Sequence, residues 1–114
     1  MLRNCALMRF MSKEEFEVRA RVMKALASPV RLQIVDELSR GERCMCELLP
    51  LFNISKSTLS RHIAALRQVG IIAERREGAR SFLKLQTPCI MQIFDCAMAV
   101  IRAEAKEKTK WLSG

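Results

Sequence analysis

The sequence predicts a mainly α fold with one small β-hairpin, in the order α-α-α-α-β-β-α, and three observations lead to it. Half of the 114 residues are hydrophobic and only four Gly and three Pro interrupt them, a composition suited to one helix-rich domain with a modest core. Apolar residues recur at helical spacing over most of the chain, as at Leu59, Ile63 and Leu66. One segment departs from that period: IIAERR and SFLKL bracket Glu77-Gly78-Ala79. They read as two strands around a turn that Gly78 can make at positive φ.

Residues 1–12 read as an N-terminal arm, with disorder as one alternative, and residues 13–112 as the folded domain. The opening MLRNCALMRFM is too short, and too interrupted by Arg3 and Arg9, for a signal peptide or a spanning helix. Met1, Met8 and Met11 each offer a start. A cytoplasmic protein with no membrane partner is therefore expected. Its five cysteines would be kept as thiols there, and an odd number at uneven spacing argues against a disulfide framework.

KEEFEVRARVMKAL (13–26) is the first helix. Phe16, Ala20 and Met23 form one stripe, Val22 and Leu26 extend it, and Glu14 and Glu15 suit the positive end of the helix dipole. Ser28 and Pro29 supply an N-cap and a first helical residue for the second helix. Val30, Ile34, Val35 and Leu38 form its core face, and Gly41 closes it. Cys44 to Leu51 reads as a short third helix, followed by a tight turn at Asn53-Ile54.

The fourth helix, from Ser55 to Val69, has two contrasting faces. Leu59, Ile63 and Leu66 lie on one side; Ser57, Arg61, Ala64 and Gln68 lie on the other, flanked by Lys56 and Ser60. That outer face is short-chained, hydroxylated and basic, as entry into a DNA major groove requires. Ser55 is its expected N-cap, which aims the dipole end of the helix at a phosphate. The third and fourth helices thus form a helix-turn-helix. The hairpin that follows carries Arg75, Arg76, Arg80 and Lys84 against Glu74 and Glu77, the charge expected of a wing touching the adjacent backbone or minor groove. The formal net charge of +8 suits the same polyanionic partner.

The last helix begins at Pro88 and runs to about Trp111, turning into a charged tail after Arg102. Ile90, Phe94, Ala97, Met98 and Ile101 cover much of its circumference, and Cys89, Ile93, Cys96 and Val100 add a further stripe. So much apolar surface on the terminal helix of a small domain predicts a second subunit, with the first helix as its natural partner.

With these residues in view, the sequence resembles the arsenical-repressor (ArsR/SmtB) family of winged helix-turn-helix repressors. ALASPVRLQIVDEL (25–38), ERCMCELL (42–49), SKSTLSRHIAALRQVGII (55–72) and RREGARSFLKL (75–85) carry the resemblance, which spans about Glu14 to Ile101. It implies a homodimer joined through the first and last helices, repression by occupying operator DNA, and release when an effector binds. It also implies DNA contacts from Lys56, Ser57, Thr58, Ser60, Arg61 and His62 in the recognition helix and from Arg75 and Arg80 in the wing. Arg61 is the choice for base reading, because its fork pairs bidentately with guanine. His62 also flanks the core stripe, where a structural hydrogen bond is the alternative role.

Cys44-Met45-Cys46 matches the family's Cys-x-Cys element, which implies As(III) or Sb(III) as effector and no cofactor for DNA binding. These soft ions favour three thiolates. The third is open: Leu49 stands where the fullest form of the motif has a cysteine, leaving Cys89, Cys96 or Cys5 as candidates. Cys89 and Cys96 cannot share one ion within an intact helix, since seven residues separate them by about 10.5 Å along the axis; packed thiols are the alternative. On a helix, positions 44 and 46 face about 200° apart, so chelation would have to distort the start of the third helix. The resemblance also disfavours zinc, because the family's zinc sensors use His and Asp/Glu on the last helix, and here Asp95 is the only carboxylate between Pro88 and Val100 and no histidine lies there; cadmium and lead are less favoured than arsenic but remain compatible. Three rival readings stand beside this one. A repressor of the same fold could answer to thiol oxidation or sulfide, or bind DNA constitutively. A small thiol oxidoreductase would need a βαβ context that is missing, so no enzyme is expected.

Overall fold

The computed structural model describes residues 12–113, with side chains through residue 108. The expectations for Met1, Cys5, Met8, Met11 and most of the arm fall outside those residues. Helix α1 (Lys13–Leu26) is capped by the Ser12 hydroxyl, which accepts from the Glu15 amide. Only its end reaches the core, through Ala25 and Leu26 with Val22 against them. Phe16 and Met23 of the predicted stripe are 56% and 52% exposed.

Helix α2 (Pro29–Ser39) starts as expected, with Ser28 Oγ accepting from the Arg31 amide and Pro29 in the first turn. Ile34, Val35 and Leu38 are buried, and Val30 packs at their edge.

The next segment corrects the expectation of one helix from Cys44 to Leu51. Arg43 and Cys44 form a short strand, β1, then Met45–Leu48 make the single turn of α3, and Leu49–Leu51 a 3-10 turn. Both breaks have local causes. The extended backbone at Cys44 lets it pair opposite Phe82, and Pro50 has no amide hydrogen with which to continue the α-helical ladder.

Helix α4 (Lys56–Gln68) buries Leu59, Ile63 and Leu66. It ends in a Schellman turn: the Ile71 amide donates to Leu66 O at 3.1 Å and the Gly70 amide to Arg67 O at 3.0 Å. Gly70 adopts φ 82° there, and Leu66 and Ile71 join the same core. Strands β2 (Ile72–Glu77) and β3 (Arg80–Leu85) follow, in register from Ile72–Leu85 to Glu77–Arg80. Gly78 makes the turn at φ 61°. The sheet has three antiparallel strands in the order β1-β3-β2, one more than the sequence suggested. Ile72, Leu83 and Leu85 press its inner face onto α2 and α4.

Helix α5 (Ile90–Ser113) begins two residues after Pro88 and runs slightly past the predicted end. It meets the core only through Ile90, Met91 and Phe94. Beyond them Met98 and Ile101 are exposed, as are Ile93 and Val100 on the other stripe. No helix among the described residues is long and apolar enough to cross a membrane.

Candidate DNA-binding face and cysteine pair

The Ser55 cap organises the start of α4. Its Oγ accepts from the Thr58 amide at 3.2 Å and lies 2.9 Å from Thr58 Oγ1 and 3.1 Å from Ser57 Oγ. Thr58 is thereby half-buried in the cap, whereas Lys56, Ser57, Ser60 and Arg61 are exposed. Arg61 makes no hydrogen bond or ion pair with another described residue.

His62 has a structural partner. Arg31 Nε donates to its Nδ1 at 3.0 Å, and Arg31 Nη1 donates to Ala25 O at 3.2 Å. One guanidinium thus ties α4 to the end of α1. The bond leaves the ring proton on Nε2. Burial, then the Arg31 and Arg61 charges, hold the His62 pKa below its ordinary value. The folded chain therefore binds this proton less readily than the unfolded one does. The stabilisation is complete above the unfolded value near pH 6.5 and is lost as pH falls through the folded one. Urea midpoints at pH 7.5 and pH 5 should accordingly fall further for the wild type than for His62→Asn; equal falls would refute the coupling.

Along β2, alternation of strand side chains puts Arg75 and Arg76 on opposite faces. Arg76 and Arg80 line a cavity of about 650 Å³ together with Lys56, Ser60 and Arg67 of α4. Arg75 points the other way, paired with Glu42 and Glu77 and lying 4.8 Å over the Phe82 ring. Of the two wing residues expected at DNA, then, only Arg80 shares a cavity with the recognition helix. Arg76 and Arg67 are the cavity cations that sequence reasoning did not assign to DNA; for Arg76, alternation with Arg75 along β2 was the available signal. Between them sits Glu74, which accepts from Ser81 at 2.5 Å and from Arg67. The Ser81 hydroxyl first, then the charges of Arg67 and Arg76, hold this carboxyl below its usual range against the effect of burial. This carboxylate joins the wing to α4.

Cys44 and Cys46 line the same cavity. Cys44 is the N-cap of α3, with φ −71° and ψ 147°. Its Sγ accepts from the Cys46 amide at 3.3 Å, and Glu47 Oε1 accepts from the Cys44 amide at 3.1 Å. This reciprocal capping turns Cys44 back over the helix start. The two cysteines are joined in a disulfide, with Cα atoms 5.1 Å apart. Two expectations are corrected here. The sulfurs do not face apart, because Cys44 lies outside the helix, so bringing them together requires no helix distortion. Nor are all the cysteines thiols. Cys44 is only 3% exposed, and Cys46 is exposed.

Cys89 and Cys96 are free and exposed rather than packed in the core of the chain, and neither lines this cavity. Cys5 falls outside the described residues. Among the described residues no three Cys, His, Asp or Glu side chains gather to hold one ion.

Comparison with known proteins places the fold in a family. The model of the arsR family of bacterial regulatory proteins matches residues 28–74, from the α2 cap through the helix-turn-helix into β2. The arsenic resistance transcriptional regulator ArsR1 of Pseudomonas putida is 34% identical over 81% of this chain and 70% of its own length. The chain belongs to the arsR family. A biofilm growth-associated repressor of Xylella fastidiosa is 32% identical over 85% of the chain and 89% of its own length. Among solved structures, Rv0081 of Mycobacterium tuberculosis aligns with a TM-score of 0.72 at 27% identity, covering 86% of this chain and 99% of that one. A homodimeric winged helix-turn-helix DNA-binding domain from Mycobacterium bovis aligns with a TM-score of 0.69 at 29% identity, over 88% and 95%. This arsR-family chain is thus a winged helix-turn-helix protein of a family of transcriptional regulators, not enzymes.

Proposed function

We propose that this chain is a homodimeric, DNA-binding repressor that leaves its operator when arsenite or antimonite binds the reduced thiolates of Cys44 and Cys46. One observation carries the reading. Cys44 and Cys46 line the cavity that Lys56, Ser60 and Arg80 also line, so an effector on their thiolates would sit beside the side chains assigned here to phosphates. Lys56, Ser57, Ser60 and Arg80 take phosphates, Thr58 supports the helix start, and Arg61 reads a base edge. His62 contributes Nε2–H while its other nitrogen holds Arg31. Arg75 acts at a distance, by bracing the hairpin through Glu42 and Glu77. The exposed stripes of α1 and α5 suit the partner subunit.

The test is fluorescence anisotropy of reduced protein on its own promoter DNA, titrated with arsenite, antimonite, cadmium and zinc. Release by near-stoichiometric arsenite or antimonite, abolished by Cys44→Ser, is the expected result; tight binding indifferent to all four rules out the metalloid role. Log affinity should also fall linearly with log salt, and Lys56→Ala should lower that slope by about 0.9 for each phosphate contact removed. An unchanged slope would remove Lys56 from the phosphate contacts.

The disulfide itself favours a second reading, in which oxidation of Cys44 and Cys46 is the signal. Release of DNA by peroxide or polysulfide without metalloid, reversed by dithiothreitol, would select it.

A further inference from the structure

The cavity between α4 and the wing has a chemistry that two cysteines alone do not use. Cys44 and Cys46 line it with Met45 and Leu49, together with Lys56, Arg67, Arg76 and Arg80. Against these four cations stands one carboxylate, Glu74, already engaged by Arg67, Arg76 and Ser81. Lys56 and Arg80 have no carboxylate partner among the described residues. The volume of about 650 Å³ is far more than a single ion fills, and is of the size that small-molecule sites have.

The sulfur count points the same way. Trivalent arsenic favours three thiolates, and among the described residues the cavity supplies two. Cys89 and Cys96 lie outside it.

We infer that the cavity binds a small anionic thiol, which completes the arsenic coordination begun by Cys44 and Cys46 while its carboxylates pair with Arg76, Arg80 and Lys56. The inference rests on the metalloid reading above and names the third ligand of that site. Two equivalents of the thiol first open the disulfide by exchange, leaving two protein thiols and the small disulfide. Arsenous acid then condenses with the two protein thiols and one further small thiol. Three As–O bonds break, three As–S bonds form, and three water molecules leave with the three thiol protons; arsenic stays trivalent throughout. The resulting adduct fills the cavity and engages Lys56 and Arg80, so release of DNA follows from competition for the same cations. No helix needs to unwind.

The experiment uses the full chain, reduced and oxygen-free, with arsenite and one of three probes: glutathione (anionic), 2-mercaptoethanol (neutral) or cysteamine (cationic). Native mass spectrometry reads the adduct, and the sulfur-to-arsenic ultraviolet absorbance reads its affinity. One arsenic plus one glutathione per chain is expected. Half-saturation should come at about tenfold less arsenite with glutathione than with cysteamine, the factor one charge-assisted hydrogen bond supplies. The Arg76→Ala, Arg80→Ala double variant should still take up arsenic with 2-mercaptoethanol but lose the preference for glutathione. Arsenic retained without any small thiol, its third bond taken by a protein cysteine, overturns the inference and leaves the metalloid reading standing; so does equal uptake with glutathione and cysteamine. Failure of the chain to retain arsenic with any thiol overturns the metalloid reading itself.

Discussion

Replacing Arg61 by alanine is expected to lower operator affinity by about 1–3 kcal/mol at each half-site, the range for one good bidentate contact to a base. A dimer places two copies on its operator, so the combined loss is about 2–6 kcal/mol for independent contacts. The expectation comes from position and freedom together. Arg61 is exposed, about one and a half turns from the α4 start, and no carboxylate among the described residues holds its guanidinium. The fold should be unaffected, since Arg61 supports none of the buried residues Leu59, Ile63 and Leu66 around it. The diagnostic result is a change in selectivity. Anisotropy against a panel of single-base operator variants should show discrimination collapsing at one position per half-site. A loss spread evenly over all operators would make Arg61 a phosphate contact instead.

The contrast between Arg61 and Arg75 shows which features the sequence made legible. Helical periodicity alone separated Arg61 from Leu59 and Ile63, and the Ser55 and Ser28 caps followed from residue type, because both depend only on near neighbours. Arg75, Arg76 and Arg80 look alike in sequence. Alternation along β2 splits Arg75 from Arg76; Arg80 stands opposite Glu77, on Arg75's side of the register, yet lines the cavity from beside the turn, while Arg75 is paired with Glu42, 33 residues away. Strand β1 was invisible for a related reason. Two residues hold no alternation to detect, and their strand identity comes from pairing with Leu83 and Phe82. The cysteine pair turned on one backbone angle. With ψ at 147°, Cys44 caps the helix; as a helical residue it would have faced away from Cys46. The chemistry of Cys-x-Cys was therefore readable, and its geometry was not.

Changing Ile93 and Ile101 together to glutamate is expected to produce a folded monomer with very weak operator binding. Within one chain these side chains are 54% and 55% exposed, so placing charges there removes nothing from the core formed by Ile90 with Leu83 and Leu85. In the proposed dimer the same positions lie under the partner, where four uncompensated carboxylates would meet a low-dielectric interface. Sedimentation should show the mass halved, while circular dichroism stays helical. The consequence for DNA is larger than any single contact. One recognition helix would have to bind without its tethered twin, forfeiting an avidity of about 10²–10⁴. A variant that remains dimeric would show that subunits meet elsewhere. If it became monomeric yet bound its operator as tightly as the wild type, pairing of the two recognition helices would not be what holds this protein on DNA.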